Sequence, residues 1–217
     1  MHRSGTTMLA RIFQYAGVHM GPLRDINFES RLYGWDVLNF QNFLLGTWDN
    51  PYSMQRNAGS ENYRIASDRF RQQILLRNKL HKKITFGKKT GWKHPVASLL
   101  IPELRMIPNT RIVSITRNKE DVIKSLSKRK TSIKPSKFPG RFSGGMNVFE
   151  KSESARLYEY YTNELDKYQD DIALNLEYER LLQLSSRKAE LSKIAKFLEV
   201  DSINLPKNFF SHKTNRS

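Results

Sequence analysis

Met1-His2-Arg3-Ser4-Gly5-Thr6-Thr7-Met8 opens the chain and leads directly into a segment in which Leu9, Ile12, Phe13 and Ala16 are spaced for one helical face. The first N–H groups of a helix have no intrahelical acceptor and sit at the positive end of its macrodipole, so an anion placed there is stabilised. Gly5 allows close approach of the backbone, Ser4, Thr6 and Thr7 offer hydroxyls, and Arg3 can fork two N–H donors onto an oxyanion. Together they read as an anion cradle. Taken alone, the octapeptide is equally compatible with an ordinary capped helix preceded by an exposed arginine.

A kinase or ATPase phosphate loop requires G-x-x-x-x-G-K-[ST], with its lysine on the terminal phosphates and its hydroxyl on magnesium. No lysine precedes these threonines. The arrangement of a basic residue before Ser-Gly-Thr-Thr instead resembles the 5′-phosphosulfate loop of sulfotransferases that use 3′-phosphoadenylyl sulfate (PAPS). Such loops follow a buried parallel strand, and no residues precede Met1 here to form one, so the expectation is a fold whose first strand is truncated or whose sheet lacks it.

The 217 residues carry a formal net charge of +16, the strongest bulk signal, and a field of that sign attracts polyanionic cofactors, anionic glycans, nucleic acid or acidic membranes. The length fits one domain spanning residues 1–217. The absence of cysteine excludes disulfides, thiolate nucleophiles and cysteine-ligated metal, and the five histidines form no H-x-x-x-H pair. No apolar run approaches a membrane span and no signal-peptide core is evident, so the chain as written reads as cytoplasmic.

Beyond the first helix, Gly17 is placed to stop it and Gly21-Pro22 breaks the chain again. The segment from Asn27 to Phe40 resembles the stretch that follows the loop in bacterial sulfotransferases, and Glu29 is its acidic residue; a first-turn glutamate favoured by the helix dipole reads the same way. Residues 46–59 read as a loop in which Trp48 and Tyr52 are candidate pocket aromatics, and Ser60 to Leu80 as an outer helix with Ile65, Phe70, Ile74 and Leu75. A basic run follows, from Lys79 through Lys89. Thr90-Gly91-Trp92-Lys93-His94-Pro95 then reads as a short strand ending in Lys93 and His94, just before a helix through Leu99, Leu100 and Leu104. Lys93-His94-Pro95 resembles the sulfotransferase segment that carries a lysine and, in cytosolic members, a catalytic histidine before proline. Members often place one more residue between the two, or a carboxylate where His94 stands.

Arg111 to Thr116 has the β-branched, apolar character of a buried strand, closed by Arg117. Asn118 is a suitable N-cap and Glu120 and Asp121 suit a first helical turn, so a helix is expected from there, with Ser125 about two turns along. A strand, an arginine and a serine eight residues later resemble the 3′-phosphate site of PAPS-dependent sulfotransferases. The resemblance implies that Arg117 and Ser125 bind that phosphate. Ile172, Leu174, Leu176 and Tyr178 alternate as in another strand, and Leu191, Ile194, Ala195 and Leu198 form a helical face. This Tyr-Glu-x-Leu segment resembles the third core segment of the family, which implies that Tyr178 lies near the adenine; a core tyrosine would share the pattern.

Residues 127–147 are dense in lysine and arginine and interrupted by Pro135, Pro139, Gly140, Gly144 and Gly145, a pattern expected of a mobile basic loop over an acceptor site. The helix after it presents Leu157, Tyr161, Leu165 and Tyr168 as a packing face, and the basic tail from Phe209 reads as a frayed terminus.

The resemblance extends from Arg3 to Val200 and implies a three-layer α/β fold with a central parallel sheet; alternating strands and helices point to α/β independently. It implies transfer of a sulfuryl group from PAPS to an acceptor hydroxyl or amine, leaving 3′,5′-adenosine bisphosphate (PAP). In that scheme Arg3 stabilises charge on the bridging oxygen, and Ser4, Gly5, Thr6 and Thr7 hold the 5′-phosphate. Lys93 assists at the sulfuryl oxygens, and His94 or, failing it, Glu29 takes the acceptor proton; no metal is required. The expected partners are the nucleotide and an acceptor, for which the cationic loop favours an anionic or glycan molecule, without specific nucleic-acid binding. A nucleotide phosphotransferase and a non-catalytic polyanion-binding protein are the competing classes.

Overall fold

The computed structural model describes residues 5–20, 61–84, 89–93, 97–127 and 151–210. Helix α1 runs over Thr6–Tyr15 and buries Leu9, Ile12 and Phe13. It ends as the glycine predicts: Gly17 has φ +87°, its N–H donates to Gln14 O, and the Val18 N–H reaches back to Phe13 O. These two bonds define a Schellman motif, a turn that satisfies the last carbonyls and sends the chain away. His19 then bridges in parallel to Thr90, donating to Lys89 O at 2.8 Å and accepting from Gly91 N at 3.0 Å. Of the expected strand from Thr90 to His94, only Thr90 is paired among the described residues, and His94 lies outside them.

Helix α2 covers Glu61–Ile84. Phe70 and Ile74 are buried while Ile65 and Leu75 are exposed, so one half of the expected apolar set faces the protein and the other half does not. The segment after Pro95 forms a 3-10 turn, Ala97–Leu100, and then a single α-turn, α3, Ile101–Leu104. Pro102 lies in the first turn of α3, a position proline suits, and would interrupt a helix continued from the residues before it.

Strands β1, Ile112–Thr116, and β2, Ile172–Glu177, form a parallel pair with Val113 opposite Leu174 and Thr116 opposite Glu177. Parallel neighbours need a long crossover, and here it contains α4, Lys119–Ser127, and α5, Lys151–Lys167, which pack on each other. In β2 burial alternates along the strand, the period-two pattern of a half-buried sheet face. The strand stops at Glu177. Tyr178 opens a short helix, α6, Tyr178–Leu182, one residue earlier than the alternation implies. After Gln183 comes α7, Leu184–Leu198.

One core joins these pieces. Leu9, Ile12 and Phe13 of α1, Ile115 of β1, Leu176 of β2, Leu181 of α6 and Ile194 and Leu198 of α7 pack together. Each such fully buried aliphatic side chain contributes about 1.5–3 kcal/mol. The consequence is positional: α1 is pressed against the sheet so that its N-terminus lies beside the point where β2 turns into α6. Glu190, 1 % exposed, ties α6 to α7 by accepting from Arg180 at 3.0 Å and from Lys193 at 2.7 Å. The protein is thus α/β, with a parallel strand pair and helices on it.

Candidate functional site

The site lies where β1 and β2 end, the position at which open parallel sheets present ligands to their helices. Gly5 is the N-cap of α1 with φ +95°, a left-handed conformation natural only to glycine. A Cβ built on it would fall 2.2 Å from Cδ2 of Tyr178, far inside van der Waals contact. The loop therefore excludes any side chain at this position on two grounds, dihedral and steric.

The first intrahelical bond of α1 is Leu9 N to Gly5 O, which leaves the N–H groups of Thr6, Thr7 and Met8 in the uncapped first turn. No acidic residue stands in that turn. Lys93 approaches from the segment after the Thr90 bridge, its Nζ 3.5 Å from Thr7 Oγ1, at the outer limit of a hydrogen bond.

Arg117 follows β1 and its guanidinium lies over the Tyr178 ring, 4.6 Å from the centroid. Such a cation–π contact orients the group as well as stabilising it. The side chain, 21 % exposed, also pairs with Asp121 at 3.6 Å. Tyr178 thus touches both Gly5 and Arg117, so residues more than a hundred positions apart meet on one ring.

The turn after Arg117 is tightly defined. Asn118 Oδ1 accepts from the N–H of Glu120 at 2.9 Å and of Asp121 at 3.3 Å, capping α4 as expected from its sequence. The Asn118 N–H donates to Glu179 Oε1 at 3.0 Å, and Tyr158 Oη donates to Arg117 O at 3.0 Å. Lys119 pairs with Glu159 at 2.7 Å. Partial burial, and then the charge of Glu179, hold the Tyr158 phenol above its ordinary pKa, so it remains a donor at neutral pH.

Of the residues expected from the sequence, the structure brings together Gly5, Thr7, Lys93, Arg117 and Tyr178, with Thr6 in the same turn of α1. Ser125 sits on the second turn of α4, half-buried, as the eight-residue spacing requires. Arg3, Ser4, Glu29 and His94 lie outside the described residues, as do Trp48, Tyr52, the loop over 128–147 and the tail from 211. Tyr158 and Glu179 were not singled out by sequence. Tyr158 falls one position from Leu157 on a helix face that reads as core packing, and its partner is a backbone carbonyl that leaves no sequence signal.

A glycine-capped helix N-terminus and a strand-end arginine thus meet at the carboxyl ends of the parallel strands, with Tyr178 between them. The model of the sulfotransferase family matches residues 1–204, nearly the whole chain, and the chain belongs to that family. It is accordingly a transferase of sulfuryl groups. No curated protein and no solved structure matches it significantly. Among the described residues no helix is long and apolar enough to cross a membrane.

Proposed function

We propose that the chain moves the sulfuryl group of PAPS to a hydroxyl or amine of an acceptor, releasing PAP. The observation that carries this reading is the contact of Tyr178 with both Gly5 and Arg117, because a donor with phosphates at both its 5′ and 3′ positions needs two anion sites at a fixed separation. The chain's residues fit such a ligand: the space that a Cβ would need at Gly5 is closed, so the backbone N–H groups are the surface offered there.

When bound, PAPS supplies an activated sulfuryl group in anhydride linkage to its 5′-phosphate. The N–H groups of the first turn of α1 and the hydroxyls of Ser4, Thr6 and Thr7 hold that phosphate, and Gly5 allows their approach. Arg3 stabilises the charge that grows on the bridging oxygen as the sulfuryl group departs, and Lys93, beside Thr7, meets the sulfuryl oxygens. Arg117 and Ser125 hold the 3′-phosphate, for which a planar guanidinium is well matched. Tyr178 serves as the separator of the two sites and offers its remaining surface to the adenine. His94 takes the acceptor proton, with Glu29 as the second candidate; a neutral imidazole does so near pH 7 without further tuning.

An anionic or glycan acceptor suits the cationic residues 128–147 and the net charge of +16. The test is calorimetric titration of the protein with PAP, followed by sulfuryl transfer from labelled PAPS to a panel of glycans and small hydroxyl and amine acceptors. Saturable PAP binding and labelled product are expected. A folded protein without PAP affinity, binding polyanions with steep salt dependence, would instead be the non-catalytic polyanion binder.

A further inference from the structure

Arg117 is held at its main chain as well as at its side chain. The three residues Arg117, Asn118 and Lys119 are each gripped from another element: Arg117 O by the Tyr158 hydroxyl, Asn118 N–H by the Glu179 carboxylate, and Lys119 Nζ by Glu159. Tyr158 and Glu159 come from α5, and Glu179 from α6, the same short helix whose first residue is Tyr178. We infer that Tyr158 and Glu179 are positioning residues for the 3′-phosphate site, fixing the backbone from which Arg117 projects so that its guanidinium stays over Tyr178.

The physical argument runs through the geometry of a strand end. The register with β2 ends at Thr116, so the Arg117 carbonyl and the Asn118 N–H lie just beyond it, and the bonds from Tyr158 and to Glu179 fix their direction there. Loss of either bond would loosen the backbone from which the arginine projects. A guanidinium makes two parallel bonds to a phosphate only within a narrow orientation, so small rotations of its backbone weaken binding before they affect folding. Tyr158 is well suited to the task, because it is a rigid phenol on a helix packed against α4. Glu179, by contrast, links the site to α6: the element that sets Tyr178 against Gly5 also sets the start of α4.

This inference rests on the proposed PAP site and makes a claim separate from it. The test compares calorimetric titrations of the full chain with PAP and with 5′-AMP, which lacks the 3′-phosphate. Tyr158→Phe, which removes one oxygen and keeps the ring, should weaken PAP about five-fold, the size of one ordinary hydrogen bond, and leave 5′-AMP unchanged. Glu179→Ala should act in the same selective way, and Glu179→Gln, whose amide oxygen still accepts from Asn118, should restore PAP affinity. Should Glu179→Ala fail to fold, Tyr158→Phe decides alone. Wild-type affinity for PAP in Tyr158→Phe, or equal losses for both ligands, would overturn the inference. Loss of PAP binding in Arg117→Ala with none in Tyr158→Phe overturns it while sparing the proposed function; a wild type that binds no PAP removes both.

Discussion

The two helices that start at the site use the same geometry in opposite ways. At α1 the cap is Gly5, which has no side chain to bond the first-turn N–H groups, and no acid stands in that turn. At α4 the cap is Asn118, whose Oδ1 takes the N–H groups of Glu120 and Asp121, and two acids occupy the first turn. In the proposed function an anion is therefore favoured at the backbone of α1 and disfavoured at that of α4, where the side chain of Arg117 would receive it instead. The first turn of α1 is uncapped and that of α4 is closed by its own side chain. On the proposed reading the difference is why a glycine serves at one site and an arginine at the other.

The comparison is broken most severely at Gly5. Gly5→Ala forces a Cβ into the Tyr178 ring and a left-handed backbone onto an alanine, which together cost about 2–5 kcal/mol. A marked fall in melting temperature and loss of PAP binding are expected. In a Tyr178→Ala background the steric part disappears, so the double variant should lose less than the sum of the two single ones. Additive losses would show that the ring and the loop act separately.

Arg117→Ala removes the side chain on which the proposed 3′-phosphate site depends. Charge-assisted bonds are worth about 1.5–3 kcal/mol, so PAP affinity should fall roughly ten- to hundred-fold in titration. Arg117→Lys should recover only part of it, since an ammonium lacks the planar fork. Asn118→Ala strips the cap from α4 and should lower stability by about 1 kcal/mol in a denaturant melt. An unchanged melt would mean that α4 is held by packing alone.

The smallest effects belong to exposed charges. Asp121→Asn removes a competitor for Arg117, and because exposed pairs are worth about 0–1 kcal/mol, PAP binding should tighten slightly with little change in stability. Away from the site, the hydrogen bond and charge of Lys89 hold the Glu199 carboxyl below its ordinary pKa. A depressed carboxyl contributes stability above its unfolded pKa and loses it as pH falls through the folded value. Melting temperature followed into acid should therefore decline less steeply in Lys89→Met than in the wild type.

Much of this arrangement is legible in the residues themselves. Asn118 as a cap, Gly17 as a helix stop and the alternation through Ile172, Leu174 and Leu176 each obey a local rule, and the structure follows them. Where local rules compete, they fall short. Tyr178 continues an alternating pattern, yet it begins α6 because Leu181 has to reach the core shared with Ile194 and Leu198, a demand that no short window contains. Thr90 to His94 has strand character, but a strand extends only as far as it has a partner, and among the described residues His19 supplies one bridge. The grip on Arg117 is hidden more deeply. A tyrosine that bonds a carbonyl 41 residues away in the chain looks like any other aromatic on a helix face.

The measurement that bears most directly on the account is a pair of titrations, PAP and 5′-AMP, on the wild type and on Arg117→Ala. If backbone holds one phosphate and arginine the other, the substitution weakens PAP roughly ten- to hundred-fold and leaves 5′-AMP unchanged. Equal losses for the two ligands, or a folded wild type that binds neither, would contradict the division of labour between α1 and Arg117.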